Sequence, residues 1–191
     1  MNKTKDKRTN FSYTTPGYLR ETLRLTDALE SDEKDWVTIP VNYSKELSEL
    51  SWSEESLPKH NEELVIKAKE IIEDGKPIHV KLEIPLDGIV GKATVVIIKA
   101  EDEESSIQLW NRGHISLLKH TWGNSGQNLG KYSSLVYIAL DDPLSDAVNL
   151  TEGPAHLNME RNSVRFKEEY SVNSGVLTDY LIQAPKRILE R

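Results

Sequence analysis

Three histidines and one glutamate are the residues in this sequence best suited to chemistry. His114, His120 and His156 offer imidazole ligands, and Glu152 stands four residues before His156. On a regular helix that spacing sets a carboxylate and an imidazole on one face. Brought together, they would form the His/carboxylate metal site of a metal-dependent hydrolase. Gly153 and Pro154 lie between Glu152 and His156 and work against a regular helix. His114 and His120 share a strand face only if no bulge intervenes. The competing reading is of surface or core-edge histidines with ordinary hydrogen bonds. The chain has no cysteine, so histidine and carboxylate are its main candidate metal ligands. The same absence removes disulfides, thiol nucleophiles and iron–sulfur clusters.

Other chemical motifs fail on spacing. Gly126 stands too close to Gly130-Lys131 for a phosphate-binding loop, and Tyr132 replaces the hydroxyl residue that would reach magnesium. None of Ser125, Ser133, Ser134, Ser145 or Ser163 sits in a nucleophile elbow. Asp141-Asp142-Pro143 reads as a strand-ending turn rather than an acid–base pair. Trp36, Trp52, Trp110 and Trp122 fall in loops or at strand ends, without the basic neighbours of an RNA-binding sheet. Tryptophan is enriched at interfaces, although core or rim packing is its default. Trp110 and Trp122, with Arg112, Glu152 and His156, are taken as the candidate binding residues.

The elements that must position these residues follow from pattern. Pro16 opens a helix of about three turns carrying Leu19, Leu23, Leu25 and Leu29. Trp36 to Val41 reads as extended. Leu47 and Leu50 suit a short helix, and Trp52 and Leu57 can fix a loop to the core. Asn61 caps a helix over 62–74, with Leu64, Ala68, Ile71 and Ile72 on one face. Ile78, Val80, Leu82 and Ile84 alternate with His79, Lys81 and Glu83, a strand with one buried and one wet face, ended by Pro85. Val95–Ile98 is a continuous apolar run, as in a strand covered on both sides. Ile107–Leu118 reads as one strand or two, with Gly113 as a bulge. Ser134–Leu140 is a further strand. Residues 143–148 suit a turn of helix, and Phe166 and Tyr170 lie on a helix from about 158 to 170. Gly175 breaks that helix, Val176–Ile182 reads as strand or helix, and Pro185 begins a terminal helix. Strands grouped mid-chain predict an α+β domain with a central, largely antiparallel sheet flanked by helices.

Length and charge complete the reading. The 191 residues suit one domain. Residues 1–15 are expected to be a mobile basic arm and 16–191 a single domain, with an acidic segment at 30–63. Residues 1–24 hold six bases and two acids, whereas 32–63 hold nine acids and three bases. The net charge of −7 disfavours nucleic acid as a partner, except through the arm residues Lys3, Lys5, Lys7 and Arg8, with Arg20. No apolar run of about 18 residues exists, and the N-terminus lacks the apolar region of a secretory signal. A cytoplasmic location is expected, with no membrane contact and no cofactor. The oligomeric state is left open.

One stretch carries a resemblance. It comprises Trp110-Asn111-Arg112-Gly113-His114-Ile115-Ser116, then Ser134 to Leu144 with Asp141-Asp142-Pro143-Leu144, then Thr151-Glu152-Gly153-Pro154-Ala155-His156. With the tail behind it, residues 110–191 resemble a C-terminal accessory module of large bacterial multidomain proteins, some ATP-binding or defence-associated. Asn158-Met159 departs from the aromatic expected after the histidine. The resemblance implies an accessory or interaction domain and supplies no reaction. The expectation is a non-enzymatic protein-interaction or regulatory domain of a bacterial assembly, with the metal-dependent hydrolase as alternative.

Overall fold

The alternation starting at Ile78 produces a strand in the computed structural model, which describes residues 16–31, 46–52, 62–101, 106–116, 129–153 and 159–190. In chain order these hold α1 (Pro16–Leu29), a 3-10 turn (Leu47–Glu49), α2 (Glu62–Glu73), β1 (Ile78–Leu86) and β2 (Ile89–Lys99). There follow β3 (Gln108–Arg112), β4 (Ile115–Ser116), β5 (Tyr132–Ile138), α3 (Pro143–Thr151), α4 (Val164–Glu169) and α5 (Ser174–Leu189). The result is an α+β domain with a largely antiparallel sheet. The strand order is β1-β2-β5-β3-β4, and only β3 and β5 pair in parallel. The basic arm, the Trp36–Val41 segment and Leu57 lie outside the described residues.

Period-two alternation sends the sheet's side chains into two cores. Val80, Leu82, Ile84, Val95, Ile97, Trp110, Val136 and Ile138 face α2, α3 and α5, and Phe166 of α4 joins them fully buried. Burying a side chain of that size contributes about 1.5–3 kcal/mol. On the other face Val96, Ile98, Leu109 and Leu135 pack against Leu25 and Ala28 of α1. Val95–Ile98 is thus covered on both sides, as its unbroken apolarity requires.

α1 is fastened to that second face by a buried carboxylate. Glu21 is 1% exposed. It accepts from Ser133 Oγ at 2.6 Å, from Arg24 Nη1 at 2.5 Å and from the Glu101 backbone N–H at 3.3 Å. Arg24 also donates to the Lys99 carbonyl at 2.9 Å.

Several boundaries depart from the sequence expectation. β1 runs through Pro85, because β1 is an edge strand and a missing N–H is tolerated there. His79, expected on the wet face, is fully buried, because α1 covers that end of the face. Gly113 is not a bulge. It sits in the β3–β4 turn at φ +57°, a left-handed conformation that disfavours side chains, and Leu140 fills the place a Cβ would take. α3 is a full nine-residue helix, started by Asp142, whose Oδ1 accepts from the N–H groups of Leu144 and Lys92. α4 is only six residues long, and Tyr170 stacks on Phe166 from just beyond its end. Gly175 and Pro185 both lie inside one helix, α5. The buried stripe Leu177, Leu181, Ala184 and Pro185 offsets the hydrogen bond that proline removes.

His79 makes acid stability testable. Its Nε2 donates to the Ala28 carbonyl at 2.9 Å. Burial holds its pKa below the usual histidine value of 6.5, partly opposed by that bond and assisted by Lys81. The unfolded chain therefore takes up the proton first. Stability is full above about pH 6.5 and falls with the pH as it drops through the depressed folded value. Urea titrations across this range should show wild type losing stability on acidification faster than His79→Leu. Parallel profiles would refute the assignment.

Candidate functional site

Two residues singled out from the sequence meet in the structure. Arg112 ends β3 and Glu152 caps the C-terminus of α3, 40 residues later. Arg112 Nε donates to Glu152 Oε1 at 2.7 Å and Nη2 to Oε2 at 2.9 Å. This is the two-pronged geometry that favours arginine over lysine. The side chains are 10% and 0% exposed. Both carboxylate oxygens therefore face a guanidinium, an arrangement that ties α3 to the sheet.

The other candidates do not join this pair in a cleft. Trp110, proposed for a binding surface, is 4% exposed in the larger core, on the same strand face as Arg112. His114 is exposed in the β3–β4 turn. His120, Trp122 and His156 lie outside the described residues. Among the described residues, no three His, Cys, Asp or Glu side chains are grouped to hold a metal ion. No described helix is long and apolar enough to cross a membrane.

From Glu152 the chain leads to a well-tied turn. Glu152 forms an isolated bridge with Met159, and the Glu160 N–H donates to the Thr151 carbonyl at 2.6 Å. Two buried serines fasten the next residues. Ser174 Oγ donates to the Glu160 carbonyl at 2.5 Å and accepts from the Ser163 N–H at 2.9 Å. Ser163 Oγ donates to the Leu150 carbonyl at 2.6 Å. The Gly175 N–H reaches the Arg161 carbonyl at 2.8 Å. A Cβ on Gly175 would lie 3.1 Å from that carbonyl oxygen and 2.8 Å from Asn173 Oδ1, so a side chain there would crowd this approach. Arg161 and Asn162 are thus presented on a fixed backbone.

They form one wall of a groove of about 820 Å³. Leu50 to Trp52 form another wall, and α5 supplies Gly175, Val176, Asp179, Tyr180, Gln183 and Arg187. Trp52 is held rigidly. Its ring stacks on Tyr180 with centroids 4.4 Å apart and planes 5° from parallel, and its Nε1–H donates to the Tyr180 carbonyl at 2.9 Å. Arg161 pairs with Asp179, and Arg187 with Glu190 at 3.1 Å. Asn173 makes no side-chain capping bond to α5.

A second charged cluster is structural. Glu73, at the end of α2, accepts from Lys131 Nζ and Tyr132 OH at 2.6 Å and from Lys99 Nζ at 3.2 Å. The hydrogen bond from Lys131, followed by those from Tyr132 and Lys99, holds its pKa at about 2. The cluster joins α2 to β2 and β5 in the open, where such contacts are weak.

Arg161, Asp179, Tyr180 and Arg187 were not foreseen as site residues. The signal was the spacing of Gly175, Asp179, Gln183 and Arg187, four residues apart each time, which makes one helical stripe once α5 is read as continuous. No family model, curated protein or solved structure matches this chain.

Proposed function

We propose that this chain is a protein-interaction domain that receives an extended segment of its partner in the groove between Trp52 and α5. On this reading it works without catalysis, as an accessory part of a larger bacterial assembly in the cytoplasm. The carrying observation is the stripe Gly175–Asp179–Gln183–Arg187 beside a locked aromatic pair. Twelve residues of helix at 1.5 Å each make that stripe about 18 Å long. An extended peptide of about five residues covers the same distance. A long wall favours an elongated ligand over a compact one. The amide side chains of Asn162, Asn173 and Gln183 line it and suit peptide N–H and carbonyl groups. Trp52 and Tyr180 lose little freedom on binding, because they are already immobilised by each other.

Peptide-display selection on the full chain, followed by calorimetric titration, tests this reading. Selected peptides should bind Trp52→Ala at least roughly tenfold more weakly than wild type, as expected of an aromatic anchor. Trp52→Phe, which keeps a ring against Tyr180, should lose less and guards against misfolding as the cause. Equal affinity for wild type and Trp52→Ala would place the peptides elsewhere and defeat the proposal.

A further inference from the structure

We infer that the groove selects acidic segments, with carboxylates of the partner meeting Arg161 and Arg187. This inference rests on the groove reading above and adds the chemistry of the ligand. The chain as a whole carries −7, yet the groove's lining residues include two arginines and one acid, Asp179. Among the described residues the lining itself is therefore cationic, unlike the chain as a whole, and an acidic segment gains there what it loses elsewhere on the surface.

Geometry supports this further. Both cations are already paired, but with exposed partners. Arg161 is 69% exposed against Asp179 at 35%, and Arg187 is 46% exposed against Glu190 at 44%. Exposed pairs are held weakly, so exchanging or sharing a partner carboxylate costs little. The bond from Arg161 to Asp179 uses Nη2 alone. Guanidinium geometry leaves further N–H donors on the same plane for a second carboxylate. Arg187 likewise commits Nε to Gln183 and Nη1 to Glu190. The backbone of the turn bearing Arg161 is fixed by bonds from Ser163 and Ser174, so the point from which that side chain extends is set. The N-terminal end of α5, at Asn173 to Gly175, adds partial positive charge to the same end of the groove. Trp52, backed by the buried Tyr180, lines the same groove and suits an apolar residue of an acidic segment.

The test uses the full chain and fluorescence anisotropy with three short labelled peptides, repeating Glu-Glu-Leu, Gln-Gln-Leu and Lys-Lys-Leu. The acidic peptide should bind tightest, by roughly tenfold over the neutral one, and weaken as salt rises. The double variant Arg161→Glu/Arg187→Glu should invert the order and favour the basic peptide. Both side chains are largely exposed, so folding should survive, and Arg161→Gln/Arg187→Gln should lie between the two. If the neutral or basic peptide binds wild type as well as the acidic one and depends on Trp52, the acidic preference is wrong and the groove stands. If no peptide of any charge binds, the groove reading falls with it.

Discussion

Glu152→Ala is expected to destabilise the domain by about 3–5 kcal/mol, because it leaves the Arg112 guanidinium buried without its counter-charge. For a chain of this size that is a fall in Tm on the order of 10 °C. The informative comparison is the double variant Arg112→Met/Glu152→Leu. Desolvating two ions offsets most of their mutual attraction, so replacing both by apolar residues should recover most of the loss. Thermal melts of the wild type and the two variants measure both effects. A loss under about 1 kcal/mol for Glu152→Ala would mean that the pair is solvated and not a strut.

The second large effect is expected at Glu21. Removing its carboxylate with Glu21→Ala leaves Ser133 Oγ without its acceptor in a site closed to water. A hydrogen-bonded charge of this kind contributes about 2–3 kcal/mol. The share from Arg24 is small, since that side chain is 30% exposed. The loss should be local, because only α1 covers that face among the described helices. Amide hydrogen exchange should speed up throughout α1 while α5 stays protected. Uniform acceleration across the domain would show instead that α1 and the sheet open as one unit.

Local rules carried the fold a long way. α2 and β1 were legible because a helical apolar stripe in one and strict alternation in the other hold over consecutive residues, while the cap expected at Asn61 lies outside the described residues. The α+β class followed from the grouping of strands. Readings failed where a distant element overrode a local pattern. His79 has the parity of a wet position, and only the docking of α1 makes it a core residue. Pro185 and Gly175 carry local signals for helix boundaries, yet a buried stripe runs through both. The parallel pairing of β3 with β5 has no local signature. The site divides in the same way. Arg112 and Glu152 drew attention as residue types, but their pairing across 40 positions is a property of the tertiary fold. Trp52 was flagged, whereas its partner Tyr180, 128 positions away, was not.

The placement of β5 also governs how this chain can be made. β5 is the last strand in sequence but lies between β2 and β3. Until it leaves the ribosome, β3 and β4 have no attachment to the β1–β2 hairpin. Glu21 likewise waits for Ser133, 112 residues further on. At about 5–20 residues per second, that delay is on the order of ten seconds. Once β2 has emerged α1 can pack on it, but the edge of β2 that pairs with β5 stays open on the nascent chain. The five-stranded sheet therefore closes late, and the interval before closure is when a chaperone has most to hold.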